Sequence, residues 1–500
     1  MSSSLTRKKS VAASIADTED PEHGLKKEMG ATQLTIFGVG VIVGTGIFVL
    51  TGVAAAEKAG PAAPLSFIVA AIACGLAALC YAEFASAVPV AGSAYTFSYT
   101  SLGEIFAWII GWDLILEFAF GAATVAKGWS GYFDRLMDDV GINLPSSIAG
   151  QEAAFNVPAV IIVGIVASIL IVGIRESSRV NMAVVAIKLT VILLVIGLGL
   201  FYVKSGNWTP FIPDSQPGTA ATGLDEKPLI QEILGQPTSA FGVPGIFFGA
   251  SLVFFAFIGF DIVATAAEET KNPQRDLPIG IFASLIICTI LYVLVSLVVT
   301  GMVPYKELGS AEAVGAPLAY AFSANGVGWA STVISIGALA GLTSTVLILM
   351  YGQSRVFFAM GRDGLLPPWL SKVHPTYKTP YRITIITAVA VALLAAFLPL
   401  KVLGEATNIG TLFAFVLVAI AVPVLRRSQP DLPRPFRTPL VPLVPILAVL
   451  ACLWLMLNLP VGTWLRLIVW MAIGFVVYFT YARKHSRLAR PEAEQHEPAR

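Results

Sequence analysis

The chain has 500 residues, 56% of them hydrophobic and 13% charged, with a mean hydropathy of +0.78 and a formal net charge of +1. No soluble domain needs so much apolar sequence, and no basic stretch offers the charge that nucleic acid demands, so the composition points to an all-α polytopic membrane protein. Cys74, Cys80, Cys288 and Cys452 lie inside apolar runs without metal-ligand spacing, and read as core residues.

Residues 1–30 form a polar N-terminal tail with no apolar region near its start, so no cleaved signal peptide is expected. Twelve apolar segments follow, at about 31–56, 64–88, 103–133, 157–174, 181–203, 243–268, 277–303, 328–361, 382–398, 404–425, 440–459 and 463–482. A charged C-terminal tail spans 483–500. Most of the 32 Lys and Arg residues fall in the two tails and the even-numbered connections. Positive residues stay on the cytoplasmic side during insertion, so both termini are expected there, in a multi-pass protein of the plasma membrane.

The first segment contains GVGVIVGTGIFVLTG, Gly38 to Gly52. Five glycines in fifteen positions are more than an unbroken helix would use, and a break is expected at Gly44-Thr45-Gly46. Inside a bilayer a broken helix survives only where its freed N–H and C=O groups face protein, a cavity or a ligand. Close packing of small residues is the competing explanation for these glycines. The long connection at 205–242, an insertion from Gln216 to Gly242, divides the first ten segments into two sets of five, 31–204 and 243–425. An odd number per set imposes opposite orientations, which is an inverted repeat; 426–482 adds two more segments. The second set also opens on an interruptible helix, with an irregular centre at Phe257-Ile258-Gly259.

Three ionisable residues stand out within the spans. Lys188 sits in an apolar helix with no acid within a turn, where an ammonium either finds carbonyls or snorkels to the interface. A lysine kept from water can gain and lose a proton during transport. Glu117, with Asp113 one turn before it, is either a proton carrier or wall of the substrate path, or else a hydrogen-bonded structural group. Asp261, beside the second break, has the same readings and could also cap freed amides. Lys127 is expected to snorkel outward, and Trp108, Trp112, Trp129, Trp464 and Trp470 to join an interfacial aromatic belt. Glu268 and Glu269 read as structural, or as a gate with Lys271 and Arg275.

The stretches GTGIF, FFAFIGFDIVATAAEETKNPQRDLPIGI (Phe254 to Ile281), YGQSRVFFAMGRDGLLP (Tyr351 to Pro367) and EATNIGTLFAF (Glu405 to Phe415) resemble the amino acid permeases of the APC superfamily, and more narrowly the bacterial relatives of the cationic amino acid transporters. The resemblance spans nearly the whole chain. It implies a LeuT-type fold of twelve transmembrane helices with a 5+5 inverted repeat, helices 1 and 6 unwound at the centre, alternating access and an L-amino acid substrate. It further implies that the amides of Val43, Gly44, Thr45 and Gly46, with the Thr45 hydroxyl, hold the substrate carboxylate. The carbonyls of Phe255, Ala256 and Ile258 would hold its ammonium, with Phe257 as an aromatic lid. Lys188 would donate to a carbonyl of the unwound stretch, where sodium-coupled relatives hold a cation, which argues for a proton as the coupling ion and against any other cofactor.

Leu349 and Met350 are read as closing the side-chain end of the pocket, which favours neutral or broad specificity; an acid such as Glu117 at that end would instead admit lysine or arginine. An enzyme is not expected, because HExxH, GxSxG and Cys/His clusters are missing from the sequence. A sensor built on a transporter fold would keep the same pocket. The partners expected are the amino acid and the lipid bilayer, without nucleic acid; protein partners are left open.

Overall fold

The computed structural model describes residues 7, 29–88, 93–151, 153–173, 178–217, 227–370, 372–377 and 379–489, with backbone alone at 93, 178–181, 265 and 268. Most of both expected tails, with Arg175 and the side chain of Arg179, lies outside what is described. The principal helices are α1 (Ala31–Ile42), α2 (Ala63–Ala87), α3 (Glu104–Asp139), α4 (Val157–Val172), α5 (Ser178–Gly199), α6 (Gly242–Val253), α7 (Pro273–Met302), α8 (Gly328–Arg362), α9 (Tyr381–Phe397), α10 (Leu400–Ser428), α11 (Leu443–Leu457) and α12 (Val461–Val477). Among the described residues, eight helical stretches are long and apolar enough to cross a membrane, and four shorter apolar helices accompany them.

Two helices are interrupted. α1 stops at Ile42 because Val43 turns to an extended conformation (ψ 100°), and helical structure resumes in the π-helical turn Gly46–Leu50, running on through Thr51–Ala54 and Ala55–Ala59. It ends at Gly60, whose φ of 63° suits glycine, followed by Pro61. α6 tightens into the 3₁₀ turn Phe254–Phe257, becomes extended at Ile258 (ψ 134°), passes Gly259 at φ 116°, and resumes as the 3₁₀ helix Ile262–Glu269. Two strands, β1 (Gln216–Pro217) and β2 (Ser239–Ala240), pair antiparallel and draw together the ends of the long connection.

The packing falls into two groups. α7 lies between α1 and α2, and α2 also packs on α6; α3 lies between α8 and α10, with α4 and α9 paired beside it. The stretch Gly242–Ala264 is the most enclosed, with 94% of its apolar window buried, so the broken helices sit at the centre and the intact ones around them.

Several boundaries differ from the sequence reading for identifiable reasons. α3 continues to Asp139, because the Arg135–Asp139 ion pair (3.3 Å) and the Ser331 and Thr332 hydroxyls donating to Asp139 (3.1 Å each) stabilise its polar last turns. Short helices at Ser93–Ser101 and Pro317–Ala324 are too short to register in a hydropathy pattern. The tryptophans are seam residues, not only belt residues. Trp112 and Trp470 each donate an indole N–H to the other's carbonyl (2.9 Å) with rings stacked 4.6 Å apart, and Trp108 donates to Gly474 O (3.0 Å), closing α3 on α12. Lys127 is 2% exposed and does not run out into solvent: its ammonium donates to Leu398 O (2.9 Å), the carbonyl just past the end of α9.

At one end of α2, Glu83 joins three segments. Its carboxylate accepts two bonds from the Arg426 guanidinium (2.9 and 2.7 Å) and one from the Thr438 amide (2.8 Å), with Arg434 3.6 Å away. The fork geometry fixes the end of α10 and the following loop against α2. Glu83→Ala leaves this network short of its acceptor and is expected to cost about 1–3 kcal/mol. The measurement is the thermal unfolding midpoint in detergent, where Glu83→Gln should fall between wild type and alanine.

Candidate functional site

The interruption in α1 frees backbone groups in an interior without water, and each freed group needs a partner. The carbonyls find theirs on intact neighbours. Lys188 of α5 donates to Gly40 O (2.7 Å), Val43 O (3.0 Å) and the Thr345 hydroxyl of α8 (3.0 Å). An ammonium has three protons, so these acceptors satisfy it completely. Thr345 in turn donates to Gly341 O (3.1 Å), and Gly341 leaves room for the lysine stem, since a Cβ there would stand 2.9 Å from Lys188 Cγ. Lys188 is fully buried, which excludes the interfacial position. The Tyr292 hydroxyl of α7 lies 2.8 Å from both Ile42 O and Ala256 O, so its one proton serves a carbonyl of either broken helix. Asn408 of α10 donates through Nδ2 to Ser251 O (2.7 Å) and Leu252 O (3.0 Å), at the last turn of α6.

The freed amides are treated differently. Val43 is a correction to the sequence reading: its amide donates to Val39 O (2.9 Å) and closes the last turn of α1, while its carbonyl goes to Lys188. Among the described residues, the amides of Gly44, Thr45 and Gly46 bond to no other element, and the Thr45 hydroxyl is buried without a partner. Donors at the start of a helical segment carry partial positive charge and suit a carboxylate. Across from them, Phe255 O accepts the Ile258 amide (3.2 Å) and Ala256 O meets Tyr292; Ile258 O bonds to no other element among the described residues.

The two breaks touch. A Cβ on Gly46 would lie 2.2 Å from Ala256 Cα, so glycine there lets backbone meet backbone, and one on Gly128 of α3 would lie 2.9 Å from the Thr45 methyl, so glycine there makes room for that side chain. Phe257, expected as a lid, packs edge-on to Phe67 (6.4 Å) and beside Tyr292 (5.3 Å), between α2 and α7. Leu349 is nearly buried, its methyl 3.6 Å from where a Cβ on Gly121 would be, which puts it one turn along α3 from Glu117; Met350 is buried in the core.

A second polar group lies between α3 and the second break. Glu117, Asp113 and Asp261 are buried, with Glu117 in electrostatic reach of both aspartates and the Tyr81 hydroxyl of α2 near all three. Asp261 meets the amides of Gly259 and Ile262, in keeping with its capping alternative. One oxygen each of Glu117 and Asp261, both of Asp113 and the Tyr81 hydroxyl have no partner, and among the described residues no basic side chain pairs with the three acids. The Glu268 side chain, one of those expected to form a gate with Lys271 and Arg275, lies outside the described residues.

Tyr292, Asn408 and Thr345 were missed by sequence reasoning. Tyr292 is a lone hydroxyl in an apolar stretch, while Thr345 and Asn408 stand beside other polar residues (Thr343, Ser344 and Thr407) that hide them, and the available signal was only that a broken helix needs donors from its neighbours.

Gly46→Ala should force α1 and α6 apart and reduce substrate uptake by at least tenfold. Gly75→Ala, where nothing lies within 4 Å of the added methyl, should leave uptake unchanged in the same assay.

The sequence model of the amino acid permease family matches residues 29–478. The chain is 49% identical over 495 residues to the branched-chain amino acid permease BcaP of Bacillus subtilis, covering 98% of this chain and 100% of that protein. It is 44% identical over 491 residues to the methylthioribose transporter of the same organism (97% and 99%), and 38% identical over 433 residues to the vacuolar cationic amino acid transporter 4 of Arabidopsis thaliana (86% and 68%). With its helical membrane architecture and a match over most of its length, the chain belongs to the amino acid permease family of multi-pass membrane transporters.

Proposed function

We propose that the protein is a proton-coupled symporter of neutral L-amino acids in the plasma membrane, both termini cytoplasmic, working by alternating access on a LeuT-type 5+5 repeat. The observation that carries this reading is the Lys188 ammonium held on Gly40 O, Val43 O and Thr345 with no acid beside it. A fixed cation on the carbonyls of the α1 break leaves no vacancy for sodium there. Release of its proton would loosen the α1 break, which couples protonation to the shape of the site. Glu117 and Asp261, with Asp113, are the further proton carriers in this reading; clustered carboxyls without counter-charges exchange protons as a group.

The substrate carboxylate would take the amides of Gly44, Thr45 and Gly46 with the Thr45 hydroxyl, and its ammonium would take Ile258 O. Leu349 favours a compact apolar side chain, since such a wall cannot desolvate a guanidinium without paired charge. The branched-chain permease at 49% identity supports the same class. The methylthioribose transporter at 44% identity supports a second reading, in which a neutral thioether sugar occupies the pocket.

Proteoliposomes loaded with buffer should concentrate labelled L-leucine under an inward pH gradient and not under a sodium gradient; uptake following sodium alone would refute the role given to Lys188. Lys188→Ala should abolish gradient-driven uptake while the protein stays monodisperse in detergent. Excess unlabelled isoleucine should compete and arginine should not; competition by methylthioribose alone favours the second reading. Leu349→Ser should admit larger side chains, and unchanged selectivity in competition would remove Leu349 from the pocket wall.

A further inference from the structure

On the outside of the molecule, α2 and α7 border an apolar groove of about 450 Å³, walled by Ala71, Ile72 and Leu79 on one side and by Phe282, Ile286 and Ile290 on the other. Ile72, Ile286 and Ile290 are each more than half exposed (59%, 58% and 54%), so the groove opens sideways, where a bilayer surrounds the spans. Thr289 is the one polar side chain of the lining among the described residues, and its hydroxyl donates to Leu285 O (2.7 Å). The groove therefore offers no free donor to a polar guest. One end is different. The Thr438 hydroxyl donates to Leu79 O (2.9 Å) and the Phe436 ring lies beside Phe282 (5.7 Å), so the loop after α10 closes that end and places Arg437 between the two contacts. Arg437 is exposed, and so is Arg275, about two turns before Phe282 on the same face of α7. Arg426 and Arg434 turn instead to Glu83, and among the described residues no acid pairs with Arg437 or Arg275.

We propose that this groove binds a phospholipid with an anionic headgroup, one acyl chain lying between α2 and α7 and the phosphate resting on Arg437 and Arg275. An apolar channel with cations at one end only has the same division as such a lipid. A guanidinium forks onto phosphate oxygens, and two of them outside the hydrocarbon favour net negative charge over a zwitterion. A helix of a partner protein would also cover the apolar walls, but it would leave both cations without an anion. In the orientation proposed above, the charged end faces the cytoplasm, the side on which anionic lipids meet basic residues next to a span.

The test uses the full-length protein, stripped of lipid in detergent and followed by native mass spectrometry. Phosphatidylglycerol or phosphatidylcholine with identical acyl chains is added. The unsubstituted protein is expected to retain phosphatidylglycerol at least about threefold more than phosphatidylcholine, and Arg437→Gln/Arg275→Gln to bring the ratio below that value. A smaller ratio in the unsubstituted protein, or an undiminished one in the doubly substituted protein, overturns the proposal. Both arginines are exposed, so their loss leaves the packing of the spans intact. Location is read on the unsubstituted protein with phosphatidylglycerol carrying a photoactivatable diazirine in mid-chain. Cross-links concentrated on residues 68–79 and 282–290 support the groove. Labelling spread evenly over the lipid-facing helices, as bulk lipid would give, overturns it. Neither reading depends on transport, so a protein that takes up no amino acid would lose its proposed function and keep this site.

Discussion

The ammonium of Lys188 seated on Gly40 O, Val43 O and Thr345 Oγ1 is the contact on which the centre of this molecule depends. A helix that stops midway through an apolar interior exposes carbonyls that no solvent reaches, and each unsatisfied group there costs several kcal/mol. Lys188 answers two of them with one side chain, and the carbonyls in turn answer the cost of burying a charge. Neither half of the arrangement is stable without the other. Tyr292 and Asn408 extend the same logic to Ile42, Ala256, Ser251 and Leu252. All of these donors come from unbroken helices, so the rigid elements hold the irregular ones in shape.

Glycine performs a different task at almost every crossing in this region. Gly46 allows α1 to touch Ala256, Gly128 allows α3 to approach Thr45, and Gly341 accommodates the stem of Lys188. Only Gly259, at φ 116°, is needed for a backbone conformation that other residues rarely adopt. Of the rival explanations for the glycines of the first segment, packing is realised at Gly38 and Gly46, which make close contacts, while Gly44 stands at the break itself.

What could be read from the sequence was whatever is local. The interruptions at Gly44-Thr45-Gly46 and around Gly259 are visible because helix propensity fails over a few consecutive residues, and the apolar segments are visible because each is a continuous run. Lys188 was conspicuous as a charge in an apolar helix. That it would reach a carbonyl of the unwound stretch came only from the family resemblance, and Thr345 was not foreseen, since Gly40 and Thr345 lie 148 and 157 residues away. Tyr292 and Asn408 look like ordinary polar residues of a helix until the fold brings a bare carbonyl to them. Lys127 was misread for the same reason, because only the three-dimensional course of the chain puts Leu398 O beside it. Trp112 and Trp470 sit where belt residues sit in sequence, yet they bond to each other across 358 positions.

The resulting site is lopsided in a way that follows from which groups the protein satisfies itself. On the carbonyl side, Lys188, Tyr292 and Asn408 occupy the exposed acceptors, and Ile258 O is left over. On the amide side, among the described residues, no acceptor from another element bonds the amides of Gly44, Thr45 or Gly46, and the Thr45 hydroxyl stands beside them without a partner. Carboxylates are scarce near the α1 break and gathered instead around Asp113, Glu117 and Asp261. An anionic group is thus offered preformed donors whose burial already costs free energy when they stand alone. A cationic group finds one backbone carbonyl and, farther off, acids that face each other. Under the proposed function, a ligand carrying both charges would match that division, with its carboxylate end meeting the larger number of unsatisfied groups.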